Sequence, residues 1–287
     1  MTESDLNDPS HVGGSLTVVD GVYVASLSRP ASANAIDRIA TEFLFEVIGR
    51  TEQDGDARAL ILTGAGQKFF CAGGDLREYV GSLDTTGLGA QFARMRSVCE
   101  QLSRLRVVTV AAINGIAVGG GVELALSCDL RVMAEDATVR LNQLQLGLAP
   151  GWGGHRPLVR AVGPSRALEL LVSGRTLGAA EALEIGLVHR VAEDAVESAL
   201  ELAALATAGG LDAYQTVKRF IRDAHLTATD EVITREQEEF LALWPPKSQM
   251  IPESIAQKIA VGGRQSGEPE PTGRADLSEP SQSRSRR

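Results

Sequence analysis

Aromatic side chains are scarce in this chain of 287 residues, at 4% of the total, so its interior must be filled by Ala, Val, Leu and Gly. Cysteine is scarcer still. Cys71, Cys99 and Cys128 are an odd, widely spaced set, which excludes a disulfide-stapled scaffold and a CxxC metal or redox motif. Positive charge is in deficit, with 28 Lys and Arg against 37 Asp and Glu and a formal net charge of -9. Such a balance does not draw phosphate backbones or anionic lipid by long-range attraction, so no nucleic-acid partner is expected. No segment approaches the run of about 18 apolar residues that a membrane span needs, and the acidic start Met1-Thr2-Glu3-Ser4-Asp5 has no features of an export signal. The expectation is a cytoplasmic protein with reduced thiols and no membrane partner. There is also no Walker motif, no GxGxxG and no zinc-like spacing, so neither a cofactor nor a metal is expected.

What is present reads as a globular protein, 44% hydrophobic and 23% charged. The length suits one main domain with a sizeable core and a smaller helical appendage. Leu16, Val18, Val22, Val24 and Leu27, interrupted by Asp20-Gly21, predict a β-hairpin. The spacing of Ile36, Ile39, Phe43, Leu44 and Val47 predicts a helix over 35–48. The apolar runs 59–63 and 107–113 predict buried strands, with a helix over 89–105 between them. A helix over 121–128 and a strand over 130–134 follow. Strands alternating with helices predict an α/β fold with largely parallel pairing. Beyond Pro164 the pattern is mostly helical, over 165–173, 179–186, 196–208, 211–224, 229–244 and 252–259. The expected organisation is a frayed segment 1–14, an α/β core 15–195, a C-terminal helical segment 196–262 and a disordered tail 263–287 rich in Gly, Pro, Ser, Glu and Arg.

Two glycine elements carry the chemistry: Phe70-Cys71-Ala72-Gly73-Gly74-Asp75-Leu76, and Asn114 to Leu124 with Gly119-Gly120-Gly121 at its centre. Each can present a backbone N–H that no side chain crowds. Two such donors converging on one carbonyl oxygen make an oxyanion hole, although any single Gly-rich stretch can equally be a tight turn. Gly119 to Gly121 lie between a strand and a helix, where free N–H groups and the helix dipole suit a developing negative charge. Glu123 follows within the first helical turn. A capping box would need Ser or Thr three residues earlier, and Gly120 stands there, so a general acid/base role is favoured over a structural one. Asp75 reads as the cap of a helix starting near Leu76. Arg29 and Arg77 are candidates to meet phosphates, whereas His155, His189 and Asp129 read as structural.

These elements resemble the enoyl-CoA hydratase/isomerase (crotonase) superfamily, from roughly Gly14 to Gly262. The resemblance implies a spiral of ββα units, a C-terminal helical segment that builds a homotrimer or a hexamer (dimer of trimers), and a place in fatty acid metabolism. It implies an acyl-CoA thioester as substrate, with coenzyme A as part of that substrate. It assigns the oxyanion N–H groups to Gly74 and Gly120 and one of two family glutamates to Glu123. Arg29, Ala33, Ala72, Asp75, Leu76, Gly119 and Trp152 would line the CoA and acyl site. The stretch from Leu141 to Gly154 places Gln143 where family hydratases carry the second carboxylate. Glutamine cannot exchange a proton, but it can orient a water or a substrate group. The single glutamate, the segment Pro150-Gly151-Trp152-Gly153-Gly154 and the stretch from Arg235 to Lys258 also look like ethylmalonyl-CoA decarboxylases. The resemblance therefore implies a hydratase/isomerase relative working through an enolate with Glu123 as its single acid/base. The alternatives are an acyl-CoA decarboxylase of ethylmalonyl/methylmalonyl type and a non-catalytic acyl-CoA-binding protein.

Overall fold

The computed structural model describes residues 13–82, 84–208 and 210–223. Strands β1 (Gly14–Val19) and β2 (Val22–Leu27) pair antiparallel around Asp20 and Gly21, both at positive φ (50° and 75°). This is the geometry a two-residue Asp-Gly hairpin requires. The expected frayed segment ends sooner than Gly14, because Gly14 already pairs with Leu27 and Ser28 N donates to Gly13 O. Helix α1 (Arg38–Gln53) begins later than its apolar spacing suggests. Residues 30–35 are spent on a 3-10 turn and on left-handed Ala33 and Asn34, and Asp37 then caps the helix by accepting from Ala40 N.

From there the chain repeats a unit of two strands and a helical segment. The first unit is β3 (Ala59–Gly64), β4 (Phe69–Cys71), α2 (Leu76–Ser82) and α3 (Thr85–Arg104). The second is β5 (Val108–Ile113), β6 (Ile116–Val118) and α4 (Gly120–Leu126), and the third is β7 (Leu130–Ala134), β8 (Thr138–Arg140) and α5 (His155–Val162). They are followed by α6 (Pro164–Ser173), β9 (Thr176–Gly178), α7 (Ala179–Glu184), β10 (Arg190–Ala192), α8 (Ala195–Thr207) and α9 (Leu211–Asp223). In each unit the first strand joins one sheet, ordered β1-β2-β3-β5-β7-β10, and the second joins another, ordered β4-β6-β8-β9. Pairing is parallel except in β1/β2 and β8/β9. The chain thus winds between two sheets, which is the spiral the resemblance implied.

Strands β3 and β5 are buried along their whole length, as their unbroken apolar runs predict. Helix α8 covers them, packing on β3, β5, β7 and β10 and burying Ala195, Ala199 and Ala203. Small residues at four-residue intervals form one stripe and let the helix approach the sheet closely. This corrects the boundary expected at residue 196, since α8 is part of the core. The helices expected over 229–244 and 252–259, and the tail 263–287, lie outside the described residues. Among the described residues no helix is long and apolar enough to cross a membrane.

Candidate active site

The first glycine element is fixed by one parallel bridge. Ile36 N donates to Gly73 O (2.8 Å) and Asp75 N donates to Ile36 O (2.9 Å), around the Ile36–Gly74 pair. Because the groups on either side of Gly74 face Ile36, its own N–H points to the opposite side. Ala72 N donates to Ala33 O (3.0 Å), tying the strand to the left-handed turn. Asp75 caps α2 as expected, its Oδ1 accepting from Arg77 N (3.1 Å) and Glu78 N (3.3 Å). Arg29 is committed inside the protein, with Nη2 2.9 Å from Asp75 Oδ2 and 3.2 Å from Asp37 and with Nη1 donating to Ala35 O. Two carboxylates offset its charge, and the three contacts tie it to the loop. Leu76, which opens α2, is exposed, and so is Arg77.

The second element meets the first backbone to backbone. Gly119 (φ 54°, ψ -116°) donates its N–H to Arg140 O (2.8 Å) and turns the chain from β6 into α4. A Cβ on Gly73 (φ 88°) would stand 3.0 Å from Gly120 N and 3.1 Å from Val118 O, and one on Gly121 would overlap the Cys71 carbonyl. No other residue permits this approach. Gly73, Gly119 and Gly121 are buried, whereas Gly74 and Gly120 stay partly accessible. The Trp152 ring packs on Gly120, where a Cβ would come within 2.7 Å of Cζ3.

Glu123 lies one helical turn on and is only 2% exposed. Its Oε1 accepts from Gln143 Nε2 (3.1 Å) and Gly151 N (3.3 Å), and its Oε2 from Trp152 N (2.9 Å) and Gly154 N (2.9 Å). An ionised carboxylate offers about four acceptor positions, and here four donors meet it, two at each oxygen. Burial pushes the carboxyl above its ordinary range, against the pull of the Gly154, Trp152 and Gln143 donors and of His155. The result is a dry carboxylate, expensive to keep ionised, that gains more than an exposed one by taking a proton. Gln143 is itself buried, at 7% exposure, and not half-exposed as a loop residue would be.

Sequence reasoning missed the loop from Gly151 to Gly154 as the holder of Glu123. Its contribution is main-chain N–H, and the Gly-rich spelling was the available signal. The loop is steadied from behind by Arg96, whose Nη2 donates to Gly151 O (3.3 Å). A cavity of about 690 Å³ lies on that side, bordered by Trp152, Gly153, Arg131, Pro157, Tyr214 and Lys218 but by neither Glu123 nor Gln143. Two of the residues read as structural, His189 and Asp129, are held by hydrogen bonds away from Glu123. His189 Nδ1 accepts from Arg131 N, and Asp129 accepts from Thr109, Tyr214 and Lys218. Among the described residues no group of three or more His, Cys, Asp or Glu is placed to hold a metal ion.

Residues 17–257 match the sequence profile of the family described as "Enoyl-CoA hydratase/isomerase". The chain is 37% identical over 224 residues to YngF of Bacillus subtilis (strain 168), which covers 77% of this chain and 86% of that protein. It is 35% identical over 222 residues to the short-chain-enoyl-CoA hydratase of Clostridium acetobutylicum, covering 76% and 84% respectively. Among solved structures it is similar to an enoyl-CoA hydratase from Bacillus anthracis, with a TM-score of 0.71 and 31% identity over 89% of this chain and 98% of that one.

Proposed function

Because the chain belongs to the enoyl-CoA hydratase/isomerase family, we propose that it binds an acyl-CoA thioester with the carbonyl oxygen between the N–H groups of Gly74 and Gly120. Negative charge that gathers on that oxygen as the enolate forms is met by donors already in place, which is the largest electrostatic contribution such a site makes. Glu123 is the single acid/base. In hydration, water oxygen bonds to the β-carbon, Glu123 takes the proton that water gives up, and the same proton returns to the α-carbon. The observation that carries this reading is the buried Glu123 carboxylate, held by four N–H donors one helical turn from Gly120. With four donors in place, a proton can arrive only as one of them gives way. The Gly151 contact is the longest, and Gln143 is the only side chain among them.

A second reading rests on Gln143. With one carboxylate the site suits loss of CO₂ from a malonyl-type thioester, which needs no base to form the enolate and a single donor to protonate the α-carbon. A non-catalytic acyl-CoA-binding protein is disfavoured by Glu123, since a binder gains nothing from a carboxylate held dry at such cost. The proposed assembly is a homotrimer or a dimer of trimers, checked by light scattering. Turnover of crotonyl-CoA and methylmalonyl-CoA by the full chain tests the activity. Crotonyl-CoA hydration is expected, falling about 10²–10⁴-fold in Glu123→Gln while thioester affinity changes little. Turnover of methylmalonyl-CoA alone supports the decarboxylase, and binding without turnover supports the binder.

A further inference from the structure

The cavity behind the 151–154 loop gathers positive charge in a chain whose formal net charge is -9. Arg96, Arg104, Arg131, Arg156, Arg160 and Lys218 line it, against the carboxylates of Glu100 and Asp129. Both carboxylates are committed, Glu100 to Arg104 at 2.5 Å and Asp129 to Lys218 at 2.7 Å. Burial lowers the pKa of His189, also in the wall, so it adds no charge at neutral pH. Arg131 is the most deeply set of the cations, at 7% exposure, and burial works against its charge. Its Nε donates to Leu187 O (2.7 Å) and its Nη1 to Cys128 O (3.0 Å), which are neutral acceptors, and no described carboxylate pairs with it. Its Nη2 meets no acceptor among the described residues and yet is not sealed in, so it opens on the cavity. A buried cation without an anion is unfavourable until one arrives.

The rest of the wall narrows the kind of anion. Leu126 and Trp152 lie in it buried, and Val217 and Ile221, one turn apart on α9, lie in it exposed. Exposed Ser103, Arg104 and Arg160 mark its mouth. Its volume of about 690 Å³ falls within the range of about 300–1,000 Å³ of sites for small organic molecules, which combine apolar walls with a few placed polar groups. We propose that this cavity binds a free carboxylate with a short aliphatic body, of the class of a medium-chain fatty acid, its head group on Arg131 and its chain along Val217 and Ile221. Neither Glu123 nor Gln143 borders the cavity, so the site is separate from the one proposed for the thioester and does not depend on that reading.

Calorimetry on the full chain tests this with octanoate, with 1-octanol, which keeps the body and loses the charge, and with inorganic phosphate, which keeps charge and loses the body. Octanoate is expected to bind about tenfold tighter than either, or about 1.4 kcal/mol. Saturating butyryl-CoA should leave the octanoate affinity within twofold. In Arg131→Met the advantage of octanoate over octanol should disappear. In Arg160→Glu, a change at the exposed mouth, octanoate should bind about threefold more weakly. Octanol or phosphate binding as tightly as octanoate overturns the proposal, and so does the absence of octanoate binding. Displacement of octanoate by butyryl-CoA overturns it too, because the acid would then occupy the thioester site. So does an octanoate affinity that neither variant changes. The ranking of the three ligands is read on the parent chain, so a poorly folded Arg131→Met does not shelter the idea.

Discussion

Gly154 lies directly against Glu123, donating its N–H to Oε2 at 2.9 Å while a Cβ at the same residue would overlap Glu123 Cγ. The backbone of Gly154 is ordinary (φ -66°, ψ -16°), so any residue could adopt it, and the constraint is contact alone. Gly154→Ala should therefore displace the Glu123 side chain. Overpacking of this kind costs about 1–3 kcal/mol. A displacement of about 1 Å at a reacting group costs about 10²-fold in rate. We expect kcat to fall by that order while circular dichroism stays that of the parent. An alanine variant with parental kcat would mean that Glu123 need not sit where the structure holds it.

Gly120 and Gly49 make a contrasting pair. A Cβ on Gly120 meets the Trp152 ring, whose backbone N–H holds Glu123, so Gly120→Ala should lower turnover. A Cβ on Gly49, inside α1, meets nothing within 4 Å. Gly49→Ala should raise stability by about 0.5–1 kcal/mol through helix propensity and leave turnover unchanged. Denaturant melts and steady-state kinetics on both variants check this, and equal effects on kcat would defeat it.

The acid side of the pH–rate profile reports Glu123. Hydrogen bonds to the ionised form lower a carboxyl pKa, so removing the Gln143 donor should raise it further above the range that burial already imposes. Less of the base form is then present at a given acidic pH. In Gln143→Met the acid limb of kcat/KM should move to higher pH, so the ratio of activity at pH 5.5 to that at pH 8 drops. His155 also acts electrostatically on Glu123, and it is unchanged in this variant. A limb that stays put or moves to lower pH would remove Glu123 as the group being titrated.

Asp129 ties α9 to the sheet. Its Oδ2 accepts from Thr109 N (2.8 Å), Thr109 Oγ1 (3.0 Å), Tyr214 OH (2.8 Å) and Lys218 Nζ (2.7 Å). Losing one partner of a buried ion pair costs about 3–5 kcal/mol, and the partial exposure of this pair (12% and 20%) places the expected loss for Asp129→Ala nearer ~2 kcal/mol. At about 2–4 °C per kcal/mol, Tm should fall by about 5 °C, with amide protection lost first in α9. An unchanged Tm would mean that Asp129 is not what holds α9 to the sheet.

Much of this was legible in the residues. Asp20-Gly21 between alternating apolar residues can hardly be anything but a hairpin, and the all-apolar runs of β3 and β5 are written for burial on both faces. Glu123 stood out because Gly120 occupies the place where a capping box needs Ser or Thr, and the structure buries it among four N–H donors. Strands β4 and β6 were not, because each has three residues and is embedded in a glycine element, so that only pairing with a distant strand defines it. Helix α5 was masked by Gly153, Gly154 and Pro157, although Pro157 falls in the first turn, where its missing N–H has no helical partner to lose. The periodicity of α8 gave its apolar stripe but not the sheet beneath it. The three main-chain donors to Glu123 have no side-chain signature at all.

That last feature bears on how such a site can diverge. An N–H from Gly151, Trp152 or Gly154 is supplied by any residue except proline, so no other substitution there deletes a donor outright. Gly154 is barred from gaining a side chain by Glu123 itself, but the indole of Trp152 can be exchanged for a smaller or differently shaped group. Under the acyl-CoA reading proposed above, mutational drift at residue 152 would then reshape the surface packed on Gly120, while the main-chain N–H groups that meet the carboxylate stay as they are. Under that reading the shape of the surface over Gly120 is carried by a side chain, whereas three of the four donors to Glu123 are carried by the course of the backbone.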